Sequence, residues 1–361
     1  MNGLKHNDLK VLVESAGSFP EFLDALADSL SQQVAVQAGM SRALKKVGYL
    51  ALRRWPGHRS DLIRALAEYS TACTAPQLVV ETAARQGYLW QMASFKTLMT
   101  LRSIKRSDPE SRHSCYEWAL DDKHRATKFI DALGLRRPRV YSYGKSIDDV
   151  DIQPPCALKP AYGKGSHGVY LAFAEDSILK VKTTEKLSSI GELRDSVSLD
   201  MEQGRVPGDC WIVEELLGNE GCPAVDLKFF SFYGEIELVL EVTRYPLASR
   251  WSEPDGETIE SEFDLYDHYH DGVGATPEQL EVARRISLEV PAPFLRIDFV
   301  SSGGELCFGE FTPRPGSYAD FSRAMDQRLG LAFLKAEGRL ADDLFNGKRF
   351  DTFRGYLGQG G

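Results

Sequence analysis

The stretch Lys159-Pro-Ala-Tyr-Gly-Lys-Gly-Ser-His-Gly-Val169 decides how this chain is read. It leaves one β-rich run, Cys156-Ala-Leu-Lys-Pro160, and enters another, Gly168-Val-Tyr-Leu-Ala-Phe173. Glycines at 163, 165 and 168 let the backbone curl until several N–H groups point at one anion, an arrangement that side chains would obstruct. Lys159, at the strand end, supplies a point charge for a phosphate, and Ser166 and His167 lie within the loop. A plain hairpin turn explains such a loop equally well when it stands alone. No Gly-Lys-Ser/Thr and no helix follows, so it is neither a Walker A loop nor a dinucleotide fingerprint.

Three further segments give the loop its context. Arg296-Ile-Asp298 and Glu310-Phe-Thr312-Pro-Arg-Pro-Gly316 each place their polar residues two apart, hence on one face of a strand. A hairpin through Ser301-Ser302-Gly303-Gly304 can set Asp298 opposite Glu310. Two facing carboxylates repel unless a cation or a proton lies between them. Hard oxygen ligands beside a phosphate loop suggest Mg²⁺ held partly by nucleotide phosphates, and Arg296 would meet a developing anion. The bland alternative is a solvent-facing strand pair with a salt bridge, against which Ile297, Phe299, Phe308 and Phe311 fill the opposite face. Glu214-Glu215-Leu216-Leu217 ends the apolar run Trp211-Ile-Val213 next to Gly218 and suits a backbone edge for adenine, or a strand running into solvent. Asp122-Lys123 opens a helical run to Gly134-Leu135 that means nothing by itself.

Around these segments the chain alternates in character. Residues 7–104 read as helical, with apolar residues three and four apart in Pro20–Leu30, Asp61–Ser70 and Leu78–Phe95. From Val140 onward short strands alternate with turns, and hairpins such as the one at Tyr233-Gly234 favour α+β over a parallel doubly wound sheet. The polar, acidic stretch 245–275 reads as one long connection, a functional or disordered loop. His268 and His270 within it do not earn a metal assignment, because nothing fixes their geometry.

With 43% apolar and 26% charged residues over 361 positions, the composition is that of a soluble globular protein of two or three domains. No run approaches ~18 apolar residues, so no spanning helix is expected. The first residues lack the apolar core of a secretory signal. Six cysteines without a CxxC pair read as free thiols of a reducing cytoplasm, the expected location. The net charge is −9, yet 42–64 is basic, with Arg42, Lys45, Lys46, Arg53, Arg54, Arg59 and Arg64 against Asp61. That patch is either a solvated helix face or a draw for an anionic acceptor. Nucleic acid is not expected, given the acidic total and the absence of a recognisable module.

In their order and spacing these segments resemble the ATP-grasp superfamily over roughly 120–330. Asp122-Lys-His-Arg-Ala-Thr-Lys-Phe-Ile-Asp-Ala-Leu-Gly-Leu135 looks like its Asp-Lys helix, and Ala157–Val169 like its strand lysine and phosphate lid. Trp211–Gly218 looks like its adenine hinge. Asp226 and Lys228 fit its Asp-x-basic strand, Arg244 its downstream arginine, and 295–300 with 308–318 its metal strands. Thr312, where most of the superfamily has asparagine, and the lead-in Ser94–Pro109 resemble the TupA-like branch associated with teichuronopeptide and surface-polysaccharide biosynthesis.

The resemblance implies an α+β, ATP-grasp fold, two α+β subdomains gripping ATP, preceded by a helical N-terminal region at 1–110. The ATP-grasp domain would span 111–345, with a lid subdomain at about 155–216 and a metal subdomain at about 217–345, then a tail at 346–361. ATP would contact Lys123, Lys159, Gly163, Gly165, Ser166, His167, Gly168, Glu214, Glu215, Leu216, Leu217 and Asp226. Mg²⁺ would sit on Asp298, Glu310 and Thr312, with Arg296, Lys228 and Arg244 catalytic. The activity implied is a ligase joining a carboxylate to an amine through an acyl phosphate, with glycan- or carrier-linked substrates included and a homo-oligomer left open. A kinase acting on a glycan or small-molecule hydroxyl is the alternative, and a nucleotide-sensing scaffold a third reading.

Overall fold

The computed structural model describes residues 93–357, leaving out 164, 220–221, 260–266, 269–271, 273, 303, 317 and 319–320, together with scattered positions between 18 and 61. The expected helices of 7–92 and the basic stretch 42–64 therefore lie largely outside the described residues. The chain divides into two compact units, Met1–Phe95 with Arg323–Leu331, and Lys96–Ser322 with Ala332–Gly361. In the first unit Gly330 lies directly on the backbone of Ser94 and Phe95, where a Cβ would come within 2.6 Å of the Ser94 nitrogen. Only glycine fits there.

The second unit carries the site. Helix α1 (Phe95–Ser107) leads through a 3₁₀ turn (Tyr116–Asp121) to α2 (Lys123–Ala132). Asp122 caps α2 by accepting from the Arg125 nitrogen, and Ala126, Phe129 and Ile130 form its buried stripe. Then follow β1 (Val140–Lys145), β2 (Cys156–Pro160), β3 (Tyr170–Ala174), β4 (Ser177–Lys180), β5 (Glu185–Leu187), α3 (Ile190–Glu202) and β6 (Trp211–Glu215). These strands make one antiparallel sheet in the order β1-β6-β2-β3-β4-β5. Alternation gives it two faces. Cys156, Leu158, Tyr170, Ala172, Ile178, Trp211 and Val213 pack with Leu193 and Val197 of α3 in a core. Ala157, Lys159, Leu171, Leu179, Ile212 and Glu214 occupy the other face.

A two-stranded ribbon, β7 (Gly218–Asn219) and β8 (Cys222–Pro223), leads to a second sheet. It consists of β9 (Val225–Phe232), β10 (Glu235–Arg244), β11 (Leu247–Ser252), β12 (Thr258–Ile259), β13 (Asp267–His268), β14 (Leu295–Ser302) and β15 (Glu305–Thr312). Helix α4 (Pro277–Leu288), opened by a Thr276/Gln279 capping box, precedes β14. Helices α5 (Arg323–Phe345) and α6 (Asp351–Leu357) follow β15, with Phe353 of α6 packed edge-on against Phe129 of α2. Among the described residues no helix is long and apolar enough to cross a membrane.

The acidic stretch 245–275 is not one long connection. It opens with β11, paired along β10 and buried from Ala248 to Ser252, and β12 and β13 pair with β11 in turn. The buried polar pair Glu241–Arg250 anchors it, with Arg250 donating to Thr258 Oγ1 and the Gly256 carbonyl, and Glu241 accepting from the Gly274 nitrogen. Buried side chains of opposite charge mask a strand from a reading based on hydrophobic alternation.

Candidate active site

On the second sheet, register does what the sequence spacing requires. Asp298 stands opposite Lys228 on one side and Glu310 on the other, while Arg296 stands opposite Thr312. A bulge leaves Gly309 unpaired between Glu310 and Phe308, and a Cβ there would sit 3.1 Å from the Asp298 carbonyl oxygen. Phe229, Phe299, Phe308 and Phe311 fill the opposite face, their rings in contact. The core thus holds the polar row in place.

The charges on that row form a connected set. Arg296 donates from Nε and Nη2 to the two oxygens of Asp298 at 2.7 and 2.6 Å, and from Nη2 to Thr312 Oγ1 at 3.0 Å. Lys228 Nζ donates to Asp298 at 2.9 Å and lies 3.6 Å from Asp226. Arg244 donates to Asp226 and, at 3.0 Å, to Ser166 Oγ in the glycine loop. Burial pushes the Asp298 carboxyl up, but Arg296 and Lys228 outweigh it and hold the group below the usual carboxylate range. Burial likewise pulls Lys228 down, and Asp298 and Asp226 reverse it.

Glu310 is different. Among the described residues its one ion pair is to Arg296 at 3.9 Å, and its side chain is 53% exposed. The dense surround of its carboxyl, then the negative charge of Asp298, raise its pKa, while Lys228, Arg296 and Lys123 temper the shift. Solvent screening limits the effect. At this carboxyl, burial and the Asp298 charge outweigh the three nearby cations.

Lys123, at the start of α2, donates from Nζ to the Pro160 carbonyl at 3.1 Å. Burial and then the neighbouring Lys159 lower its pKa, while Glu310 and Glu214 act against that. Lys159 pairs with Glu214 at 2.6 Å. Two lysines that repel each other from different elements fit an anion between them. Two facing carboxylates fit a hard cation shared with phosphates, and Thr312 adds a hydroxyl already bonded to Arg296. Among the described residues no preassembled group of three or more His, Cys, Asp or Glu forms a metal cage. Asp298, Glu310 and the Thr312 hydroxyl are hard oxygen donors, of the kind that hold Mg²⁺ together with substrate phosphates.

The other expected residues divide. Ser166 takes a left-handed backbone (φ 62°), as do Gly165 and Gly168, and Gly163 and Gly168 crowd Pro160. His167 lies in the same loop. Glu214 shares one face of the first sheet with Lys159, but the Glu215 side chain does not. Strand alternation turns Glu215 to the other side, where it meets Arg136 at 3.0 Å and the Arg139 nitrogen. Leu216 and Leu217 are half-buried, and the Leu217 carbonyl accepts from Ala224. Asp226, expected on the nucleotide, has its carboxylate occupied by Arg244 and Lys228. The apolar bed of Ala157, Leu171, Leu179 and Ile212 was not singled out from the sequence, nor was Tyr143, which lies opposite Ile212 on the edge strand. Alternation in Val140–Lys145 was the signal for Tyr143.

A family model described as TupA-like ATP-grasp matches residues 100–334, most of the chain. This chain belongs to the TupA-like ATP-grasp family. Comparison with curated proteins gives no match. Among solved structures, D-alanine–D-alanine ligase from Helicobacter pylori is similar at 16% identity and TM-score 0.35, over 59% of this chain and 60% of that one. The corresponding ligase from Bacillus anthracis, complexed with ATP, gives 14% and 0.35 over 67% and 68%. The ATP-grasp ligase PsnB, complexed with minimal precursor, Mg and ADP, gives 13% and 0.35 over 62% and 60%. The chain thus spans about 60% of the length of the H. pylori ligase. The family match carries the assignment, and with it the α+β, ATP-grasp fold.

Proposed function

We propose that this ATP-grasp chain is an ATP- and Mg²⁺-dependent ligase that joins a carboxylate to an amine, with residues 111–345 as its catalytic domain. The observation that carries the reading is that Lys123 donates to the Pro160 carbonyl, next to Lys159 and its partner Glu214, so that two lysines from different elements converge, with the charge of Glu310 also acting on Lys123. Bound MgATP would supply a phosphoryl group that makes the substrate carboxylate electrophilic. Lys123 and Lys159 would neutralise and orient the phosphates. Asp298 and Glu310 would hold the cation, with Thr312 in support. Arg296 is fixed by its fork on Asp298, so its charge is oriented in advance toward an oxyanion developing on the acyl carbon. No side chain is asked to act as a covalent nucleophile. Catalysis would rest on positioning and charge neutralisation.

Two measurements test this. Thermal melts with MgATP, MgGTP and MgUTP should show the largest shift for ATP, worth about 2.7 kcal/mol at ~100 times Kd. ADP release across panels of carboxylates, amines and hydroxyl compounds should require one acid and one amine together. No nucleotide shift would end the reading, and phosphate transfer to a hydroxyl with no amide formed would replace it with a kinase.

A further inference from the structure

We propose that Asp226 is a positioning residue that ties the glycine loop to the metal-binding strands through Arg244, an inference that takes the ATP site proposed above as its setting. Asp226 projects from β9 with its side chain only 10% exposed, and its carboxylate is shared by two cations. One is Lys228, which continues to Asp298. The other is Arg244, at the end of β10, which donates to Asp226 from Nη2 and to Ser166 Oγ from Nη1 at 3.0 Å. The guanidinium is planar and its donors are fixed in a fork. Fixing Nη2 on the carboxylate therefore aims Nη1 at the loop.

The loop needs such an anchor. Ser166 has φ 62°, a strained backbone for a non-glycine residue that persists only where its surroundings hold it. At the far end of the loop, Gly168 is lodged against Val206, where a Cβ would come within 2.7 Å of a methyl carbon. Between these points the Arg244 bond is the side-chain tie to the second sheet. The next residue makes a second, independent bridge: the Tyr245 ring lies 4.9 Å from the Lys186 ammonium on β5 of the first sheet. One turn, Arg244–Tyr245, thus reaches the loop and its sheet at two places. Asp226 itself lies one residue removed from that contact. It acts by holding Arg244 in line.

Hydrogen exchange of peptides covering 165–174 in the nucleotide-free protein tests this without depending on the proposed activity. Asp226→Asn should speed exchange there tenfold or more, Ser166→Ala should do the same, and the double variant should go no further, because both remove one bond. Asp226→Glu should restore part of the protection. In a parallel arm, Mg²⁺ with the non-hydrolysable analogue AMP-PNP should protect these peptides in the wild type and should bind Asp226→Asn while leaving them fast. Wild-type exchange in Asp226→Asn, or a double variant whose effect is the product of the two singles, would overturn the proposal. If Asp226→Asn does not fold, Arg244→Gln combined with Ser166→Ala gives the same cycle. Failure of the wild type to bind AMP-PNP counts against the proposed function and leaves the nucleotide-free result standing.

Discussion

The molecule holds two buried clusters built from the same chemistry, a strand lysine on a carboxylate, one in each sheet. In the first sheet Lys180 donates to Asp200 at 2.8 Å and to Ser196 at 2.9 Å, and Tyr170 donates to the other Asp200 oxygen at 3.0 Å. Arg205 adds a fourth bond at 3.1 Å. Burial pushes Asp200 up and these donors bring it below its ordinary value. The set is closed: both carboxylate oxygens are taken, and the side chain of Asp200 is 1% exposed. In the second sheet Lys228, Asp298 and Arg296 are bonded as tightly, but the row runs on to Glu310, half-exposed and held only by Arg296 at 3.9 Å among the described residues. A buried charge pair by itself signals neither function nor net stability. The open end is what separates a structural clamp from a site.

The largest expected effect falls on the closed cluster. Asp200→Asn leaves Lys180 without its counter-charge and should cost about 3–5 kcal/mol in urea unfolding, while the folded fraction keeps its affinity for MgATP. Replacing the pair together, Lys180→Met with Asp200→Leu, should recover most of that loss, since well-packed apolar substitutes often match a buried ion pair. The corresponding double replacement at Lys228 and Asp298 should recover less, because it leaves the buried Arg296 without its carboxylate, and it should abolish the thermal shift with MgATP. If both doubles retain the shift, the two clusters are alike and the second sheet has been misjudged.

Next in size is Glu310→Gln. It removes the charge at the open end and leaves shape intact, so turnover should fall by more than about 10²-fold, the upper range for losing a group that only supports a metal ligand, because Glu310 is proposed as a ligand itself. Unfolding in the absence of metal should be no easier than in the wild type. Wild-type turnover would mean that the cation is held elsewhere.

Much of this was legible in the sequence. The side chains of Arg296, Asp298, Glu310 and Thr312 share a face because strand periodicity requires it, and Lys159 shares one with Glu214 for the same reason. Glu215 belongs to the alternate set, so its side chain turns to the other face. The bulge at Gly309 could not be read, since it depends on how closely the Asp298 carbonyl approaches. Lys180 and Asp200 are far apart in sequence, and an aspartate on a helix reads as solvated until packing buries it. The strand Leu247–Ser252 was hidden for a related reason: Arg250 and Glu241 compensate each other inside, which no local pattern reveals.

The smallest expected effect separates the two ends of the open row by pH. Asp298 has a folded pKa below its usual 3.8, so its contribution to stability is present above that value and is lost as pH falls through the lower folded value. Glu310 has the opposite sign. Its folded pKa is raised above 4.5, so just above 4.5 the native state holds more protons than the unfolded chain, and stability declines as pH rises through that window. A cation beside Glu310 favours the charged form, so Mg²⁺ binding should release protons in this window and strengthen as pH climbs. Urea unfolding between pH 2 and 7 with a chelator present should therefore show a shallow decline above pH 4.5 in the wild type that Glu310→Gln removes, while the acid limb to which Asp298 contributes remains in both. Half-exposure of Glu310 keeps the decline small, so the comparison of slopes, rather than absolute stability, is the measurement. If the two proteins decline in parallel, Glu310 is as well compensated as Asp200, and the row is closed at both ends.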